Sequence, residues 1–161
     1  MPYIKMLGPD EWTELRDIRL SALKESPDAF LATYDEESGY DETRWRSEFA
    51  RCDWHIGFEN GTAISLLGCT RNIDEPGSAP YLEYLWVSPG ARRRGAASEI
   101  LSYVLDRLRT FGVRAAYLWV LDGNDAAVQL YRRAGFVSSN HSQPLASRPG
   151  RREEKMELDL S

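Results

Sequence analysis

Cysteine and histidine are scarce in this chain of 161 residues, which contains two of each. Cys52 and Cys69 are too few for a disulfide framework in a chain of this length. A disulfide between these two cysteines is the alternative, but we favour two reduced thiols in a cytoplasmic protein. His55 and His141 have no neighbouring pattern of metal ligands, so we expect no metal site.

The chain also lacks a long apolar run and an excess of basic charge. No apolar segment approaches the roughly 20 residues that cross a bilayer, and residues 1–12 lack the apolar core of a signal peptide. The formal net charge is −5, from 20 basic and 25 acidic side chains. Because a general nucleic-acid binder usually carries a basic excess, we expect neither a nucleic-acid nor a membrane partner.

Apolar spacing predicts one mixed α/β domain over residues 1–161, without an internal repeat or linker. Helices are predicted from Gly8-Pro9-Asp10 to Pro27, from about Asp41, from the basic turn after Gly90 to Gly112, and at Asp125–Ala134. Strands are predicted at Tyr3–Leu7, Trp54–Glu59, Thr62–Thr70, Tyr81–Val87, Val113–Leu121, from Phe136, and at Lys155–Leu160. The segments Arg71–Pro80 and Ser138–Glu154 are predicted to be loops.

Two local patterns constrain how the strands pair. Asn60-Gly61 is a strong hairpin signal, because both residues tolerate positive φ. The strand–helix–strand unit from Tyr81–Val87 to Val113–Leu121 implies a parallel pair. Simple alternation along the first of these strands places Glu83, Leu85 and Val87 on one face and Leu82, Tyr84 and Trp86 on the other.

A basic turn joins the strand Tyr81–Val87 to the following helix. Arg92, Arg93 and Arg94 precede Gly95, Ala96 and Ala97, where the helical pattern begins. The first amides of a helix have no partner inside the helix, and the helix dipole adds positive charge there. This pattern favours a pyrophosphate cradle over a solvated basic loop. The turn lacks the Lys-Ser/Thr of an ATP-binding P-loop and the GxGxxG of a dinucleotide site.

These residues resemble the GNAT superfamily of N-acetyltransferases. The turn RRRGAA (92–97) is similar to its R-x-x-G-x-G/A signature, and NDAAVQLYRRAGF (124–136) is similar to its second signature, N-x-x-A-x-x-L-Y-x-x-x-G-F. The opening segment RLSALKESPDAF also resembles bacterial members. The resemblance implies an acyl-CoA N-acyltransferase fold, with a central, mostly antiparallel sheet, a splayed parallel strand pair and helices on both faces.

The resemblance implies acetyl-CoA as the donor and assigns residues to it. The main-chain amides of Arg92, Arg93, Arg94, Gly95, Ala96, Ala97 and Ser98 would bind the pyrophosphate. The backbone of Val87 would pair with the pantetheine arm as an added strand does, and Leu85, Ala127 and Tyr131 would also contact the cofactor. Asn124 would bond the cofactor near the same arm, and is equally suited to cap a helix.

Two residues are candidates for catalysis. By resemblance, Tyr131 is the acid that protonates the departing thiolate, although a tyrosine on the inner face of a helix is commonly a core residue. Glu83 lies in a largely apolar strand, where a carboxylate is costly unless it is paired or lines a wet cavity. It would serve as the base that deprotonates the amine, or alternatively pair with an arginine. A backbone N–H of the same strand would stabilise the oxyanion.

Two positions depart from the commoner family pattern: Ala97 and Ser65 stand where many members have glycine. Neither prevents cofactor binding. The sequence thus predicts direct transfer of an acetyl group to a primary amine, with a non-catalytic acyl-CoA-binding or sensing domain as the alternative. The acceptor, a small molecule or a peptide, is not identified; the family shapes its site from segments that correspond here to Arg19–Trp45 and Asn140–Arg152. Dimers are common in the family, and the oligomeric state is left open.

Overall fold

A computed structural model describes residues 2–30, 32–70, 79–145 and 148–161, so the predicted loop Arg71–Pro80 lies mostly outside the described residues. The helices are α1 (Trp12–Glu25), α2 (Tyr34–Ser38), α3 (Glu42–Ala50), α4 (Ala96–Thr110) and α5 (Asp125–Arg133). The strands are β1 (Tyr3–Met6), β2 (Cys52–Glu59), β3 (Thr62–Thr70), β4 (Leu82–Val87), β5 (Ala115–Leu121), β6 (Val137–Pro144) and β7 (Arg152–Asp159). Among these helices, none combines the length and the apolarity that crossing a membrane requires.

Two antiparallel sheets carry the fold, with strand orders β1-β2-β3-β4 and β5-β7-β6. One core, the α4-side core, joins α4 to both sheets and includes Leu67, Leu101 and Leu118. The other, the α1-side core, packs α1 and α3 on the opposite face of the first sheet and includes Leu15 and Trp54. Helices therefore cover both faces of the first sheet, as the resemblance implies.

The predicted parallel pairing of β4 with β5 is limited in extent. The two strands belong to different sheets, and an isolated parallel bridge joins Tyr81 to Tyr117 just before β4 begins. The amide of Tyr117 also donates to the carbonyl of Pro80 at 3.0 Å. The splayed parallel pair stays a prediction, and the strands form two sheets where the resemblance implies one central sheet.

A β-bulge in β4 overturns the predicted alternation of its side chains. Between the partner pairs Leu66–Trp86 and Gly68–Glu83, β3 advances by two residues and β4 by three. Tyr84 takes up the extra residue with φ of +63°. A bulge changes the face to which the following side chains point. The grouping of Glu83 with Leu85 and of Leu82 with Trp86 was therefore wrong.

Each part of β4 now faces a different core. Leu82 and Leu85 pack on the α4-side core, whereas Tyr84 and Trp86 pack on the α1-side core. Glu83 is paired with Gly68, at which an added Cβ would lie 2.8 Å from the ring of Trp54 in the α1-side core. Glu83 and Leu85 therefore point to opposite faces of the sheet.

The segment Ser138–Glu154, predicted as one long loop, contains most of a hairpin. β6 and β7 pair from Val137–Glu157 to Pro144–Arg152, so the last strand begins at Arg152 rather than Lys155. β6 is an edge strand with both faces largely exposed. Such a strand needs no apolar alternation, because the β7 ladder holds it and water solvates its side chains. The short helix α2 was also missed.

Both cysteines and one of the two histidines, His55, are buried in the first sheet. Cys52 and Cys69 are free thiols, and burial raises the pKa of each to about 12. His55 is fully buried, with Nδ1 3.3 Å from the carbonyl oxygen of Leu67 and no described hydrogen-bond partner at Nε2. Loss of hydration lowers the pKa of His55 from 6.5 to about 4. His55 is therefore held neutral as part of the core.

We expect His55 to make the protein sensitive to acid. The imidazole of the unfolded chain takes up a proton below pH 6.5, whereas the folded one does so only near pH 4. Stability is thus complete above pH 6.5 and falls as the pH drops, by about 3 kcal/mol at pH 4. Urea unfolding at a series of pH values measures this loss.

The matched variants are His55→Asn and His141→Asn. Asparagine at position 55 keeps a donor near the carbonyl of Leu67 but does not titrate, so the His55 contribution to the pH slope should disappear. His141 is exposed, and its replacement should leave the slope unchanged. Equal slopes for wild type and His55→Asn between pH 6.5 and pH 4 would contradict the prediction.

Candidate active site

A cleft of about 470 Å³ lies between β4 and β5, where the two sheets separate. Five of the residues singled out from the sequence line it: Glu83, Leu85, Asn124, Ala127 and Tyr131. These residues come from three separate elements, β4, the turn after β5, and α5. The structure therefore brings both candidate catalytic residues to one cavity.

Glu83 is partly buried at the wall of this cleft. Its Oε2 lies 3.9 Å from Nη2 of Arg51, and 35% of its side chain is exposed. Burial raises the pKa of Glu83 above its ordinary 4.5, while Arg51 and Arg19 oppose the rise. The carboxylate is thus a stronger base than a solvated glutamate. The arginine partner that the sequence left as an alternative is present beside it.

Tyr131 lies on α5 and Asn124 lies at the N-cap of this helix. The ring of Tyr131 packs edge-on against Phe136 with centroids 5.9 Å apart, and burial raises the pKa of its phenol to about 12. Tyr131 therefore keeps its proton at neutral pH, as an acid must. The side-chain oxygen of Asn124 accepts from the amide of Ala127 at 3.2 Å, so the predicted helix cap is confirmed.

The basic turn lies apart from this cleft, at the start of α4. Gly95 precedes the helix with φ of +84°, and an added Cβ would find open space around it. No side chain caps the helix. The amides of Ala96, Ala97 and Ser98 are the ones that a regular helix leaves without internal partners, and they begin a helix whose N-terminal dipole favours an anion. The geometry fits a phosphate group.

Two of the three arginine side chains of the turn bind carboxylates of the protein itself. Arg92 donates to the carbonyl of Val87 at 2.9 Å and to Glu25 at 2.7 Å. Arg94 forms a two-pronged pair with Glu59, at 3.2 and 3.1 Å. These pairs reduce the free positive charge expected for the turn. They leave the backbone amides and the exposed side chain of Arg93 as its anion donors.

The backbone carbonyl of Val87 thus receives the Arg92 side chain, and its pairing with a cofactor arm stays a prediction. Ser65 is buried next to Gly57, where an added Cβ would clash with the Ser65 hydroxyl. It lies outside the residues that line the cleft. The serine that departs from the family pattern is therefore accommodated by a glycine on the neighbouring strand.

Sequence reasoning missed several polar residues of the cleft: Arg19, Arg51, Tyr84 and Glu153. Arg19 was the most detectable. It stands on the buried face of α1, among Leu15, Ile18 and Leu23, where an unpaired charge would be very costly. Its partner is Glu37 on α2, which accepts at 3.0 and 2.9 Å. The two residues are 18 positions apart in the chain, so local sequence spacing does not reveal the pair.

A smaller side pocket of about 170 Å³ opens beside the cleft and shares Arg19, Ala32, Arg51 and Tyr84 with it. Its other polar walls are Glu37, Tyr40, Arg44 and Glu48. Within the part of the chain that the structure describes, no group of three or more histidine, cysteine or acidic residues is arranged to hold a metal ion. The polar groups of the cleft suit proton transfer, because a carboxylate with a raised pKa and a protonated phenol line the same cavity.

Known proteins resemble this chain in sequence and in fold. GCN5-related N-acetyltransferase 6, chloroplastic, from Arabidopsis thaliana is 33% identical over 72 residues, which are 45% of this chain and 25% of the relative. The match thus spans about a quarter of the curated relative's length.

Solved structures share the fold over the whole chain. An acetyltransferase of the GNAT family from Streptococcus pneumoniae is 18% identical, covers 100% of both chains and superposes with a TM-score of 0.80. A Salmonella typhimurium structure solved with its cofactor acetyl-CoA is 16% identical, with a TM-score of 0.74 over 100% of this chain and 95% of the other. The acetyltransferase (GNAT) family model matches residues 12–136. The chain therefore belongs to the acetyltransferase (GNAT) family.

Proposed function

We propose that this protein transfers the acetyl group of acetyl-CoA directly to a primary amine. The observation that carries the proposal is the cleft between β4 and β5, which gathers Glu83, Asn124 and Tyr131. The family supplies the reaction type, and the Salmonella typhimurium relative bound to acetyl-CoA supports the donor. Each proposed role below rests on this chain's own residues.

The turn before α4 would hold the donor. The amides of residues 92–98 would bind the pyrophosphate, and the absence of a side chain at Gly95 lets an anion approach the backbone. Val87 and Leu85 would lie along the pantetheine arm, with Asn124 and Ala127 on the opposite wall of the cleft. The thioester supplies an activated acetyl group at the end of that arm.

Glu83 and Tyr131 would carry the proton transfers of the reaction. Glu83, directly or through a water molecule, takes a proton from the ammonium form of the acceptor. The freed nitrogen lone pair forms a bond to the thioester carbonyl carbon, and a backbone N–H of β4 stabilises the oxyanion. The carbon–sulfur bond then breaks, the phenol of Tyr131 protonates the sulfur, and the nitrogen gives up its second proton, which restores the phenol. The products are an N-acetylated amine and the free thiol of CoA.

The overall function is tested by incubating the protein with acetyl-CoA and a panel of amines. We expect release of free thiol that depends on both the protein and the amine, followed with a thiol-reactive chromophore, and acetyl-CoA binding by calorimetry. Binding without turnover on a broad panel would instead indicate an acyl-CoA sensor. Absence of binding would contradict both functions.

Tyr131→Phe is expected to lower kcat by about 100-fold or more, because it removes the acid that assists thiolate departure. The phenylalanine ring keeps the packing against Phe136, so the Kd for acetyl-CoA should change by less than about threefold. Tyr117→Phe is the control, since Tyr117 lies on β5 outside the cleft lining. Parallel losses of turnover and binding in Tyr131→Phe would make the residue structural.

Glu83→Gln is expected to lower kcat by about 100-fold or more near neutral pH and to remove the acidic limb of the pH–rate profile. In the wild type the limb arises because the raised pKa of Glu83 leaves the base protonated, and inactive, as the pH falls. The profile of kcat against pH measures both effects.

Glu153→Gln is the matched control. Glu153 lines the same cleft but accepts a hydrogen bond from Gln143 at 2.6 Å. Its replacement should retain the acidic limb. If the limb vanishes in Glu153→Gln and persists in Glu83→Gln, the base has been assigned to the wrong carboxylate.

A further inference from the structure

The side pocket beside the cleft has more positive than negative groups in its wall. Three arginines line it, Arg19, Arg44 and Arg51, against two glutamates, Glu37 and Glu48. Both glutamates are already engaged: Glu37 binds Arg19, and Glu48 accepts from Arg44 at 3.0 Å and from Arg51 at 2.9 Å. The pocket therefore retains donor capacity that the protein's own carboxylates do not use.

Arg19 is the most buried of these three arginines. It is only 4% exposed, and its Nε and Nη2 donate to Glu37. The rings of Tyr84 and Phe30 cover the guanidinium, with centroids 4.1 and 5.0 Å from its central carbon. Nη1 is buried without a hydrogen-bond partner among the described residues. A buried cationic donor left unpaired is costly, so its retention points to an acceptor supplied from outside.

Arg51 connects this pocket to the proposed chemistry. It lines both the side pocket and the cleft, half of its side chain is exposed, and its Nη2 lies 3.9 Å from Glu83. Both arginines contact Tyr84: Arg19 stacks on its ring at 4.1 Å, and Nη1 of Arg51 donates to its hydroxyl at 3.5 Å. Glu83 also lines the cleft. Cationic and anionic groups of the protein thus stand next to each other where an acceptor would lie.

We propose that the acceptor is a small amino acid, whose amine faces Glu83 and whose carboxylate is bound by Arg19 and Arg51. This inference rests on the proposed function. A carboxylate is planar and accepts two-pronged hydrogen bonds from a guanidinium. A zwitterion complements the two kinds of charge at the same time. A side pocket of about 170 Å³ admits such a small group, since a water molecule occupies about 30 Å³.

Other amines fit these groups less well. The N-terminus of a peptide has an amine but a neutral amide in place of the carboxylate, so Arg19 Nη1 would gain no charged partner. A polyamine would bring a second cation towards arginines. Both would leave the donors of the side pocket unused, and polar groups left unpaired on binding are what discriminate between closely related substrates.

The test compares free amino acids with matched analogues that lack the carboxylate. Wild-type protein and acetyl-CoA are incubated with each free amino acid, its α-amide, which resembles a peptide N-terminus, and its decarboxylated amine. For at least one amino acid, we expect kcat/KM to exceed that of its amide and its amine by at least about tenfold. Ratios below about tenfold for every set would overturn the inference.

Substitution of Arg51 tests whether the side pocket causes the preference for free amino acids. The acid-to-amide ratio is kcat/KM for the free amino acid divided by kcat/KM for its α-amide. Arg51→Gln should reduce this ratio by at least about fivefold, because one of the two groups that bind the carboxylate loses its charge. Arg46→Gln is the matched control: Arg46 is an arginine of α3 that pairs with Glu42 and lies outside both cavity linings. Its ratio should equal that of the wild type. A ratio that Arg51→Gln leaves intact would show that another feature selects the acid.

Arg19→Lys adds a second measurement, with circular dichroism to establish folding. If Arg19→Lys folds, it should also lower the ratio, because lysine cannot pair with Glu37 and a ligand carboxylate in the same geometry. If it does not fold, the Arg51→Gln ratio decides. Thiol release from amides or amines without any preference for acids refutes this inference alone. Absence of thiol release with every amine refutes the proposed function as well.

Discussion

The extra residue at Tyr84 is the feature of β4 on which the arrangement of the site depends. A tyrosine with φ of +63° is strained by about 1–3 kcal/mol. The Arg19 guanidinium stacked at 4.1 Å on the same ring contributes a cation–π attraction of about 2 kcal/mol when desolvated, and Trp54 adds a tilted aromatic contact at 5.2 Å. These contacts are of the size needed to offset the strain.

The bulge allows one strand to face two chemical environments. Leu82 and Leu85 complete the apolar core below α4, while Glu83 and Tyr84 are directed to the side that holds Arg19 and Arg51. In a regular strand, the carboxylate would share a face with Leu85. The bulge therefore separates the apolar residues that stabilise the fold from the ionisable residue proposed for the chemistry.

Local signals account for what the sequence predicted correctly. Asn60 and Gly61 both adopt positive φ in the hairpin, and Asn124 caps α5, because each outcome is decided within a few residues. The Tyr84 bulge depends instead on contacts with α1 and β2, so the residue pattern within β4 does not predict it. The Arg19–Glu37 pair joins two helices, and β6 is held by its neighbour rather than by its own pattern.

The same distinction applies to the site residues. Glu83, Asn124 and Tyr131 were found because a carboxylate in an apolar strand and a family signature are visible locally. The arginine side chains were predicted to charge the turn before α4, but Arg92 and Arg94 find Glu25 and Glu59 in distant elements. Charge in a sequence does not reveal which charges remain unpaired after folding, and the buried donor without a partner, Nη1 of Arg19, lies at the side pocket.

Glu25 links these two regions of the molecule. It ends α1, and it accepts from Trp86 on β4 at 3.0 Å and from Arg92 of the basic turn at 2.7 Å. Hydrogen bonds from Ser26, Trp86 and Arg92 lower its pKa, so it stays ionised near neutral pH. Because Arg92 also holds the carbonyl of Val87, the end of α1, the end of β4 and the start of α4 are fixed relative to one another. The helix that presents Arg19 is thus anchored to the turn proposed to hold the donor, and rigid placement of both partners is what a direct transfer requires.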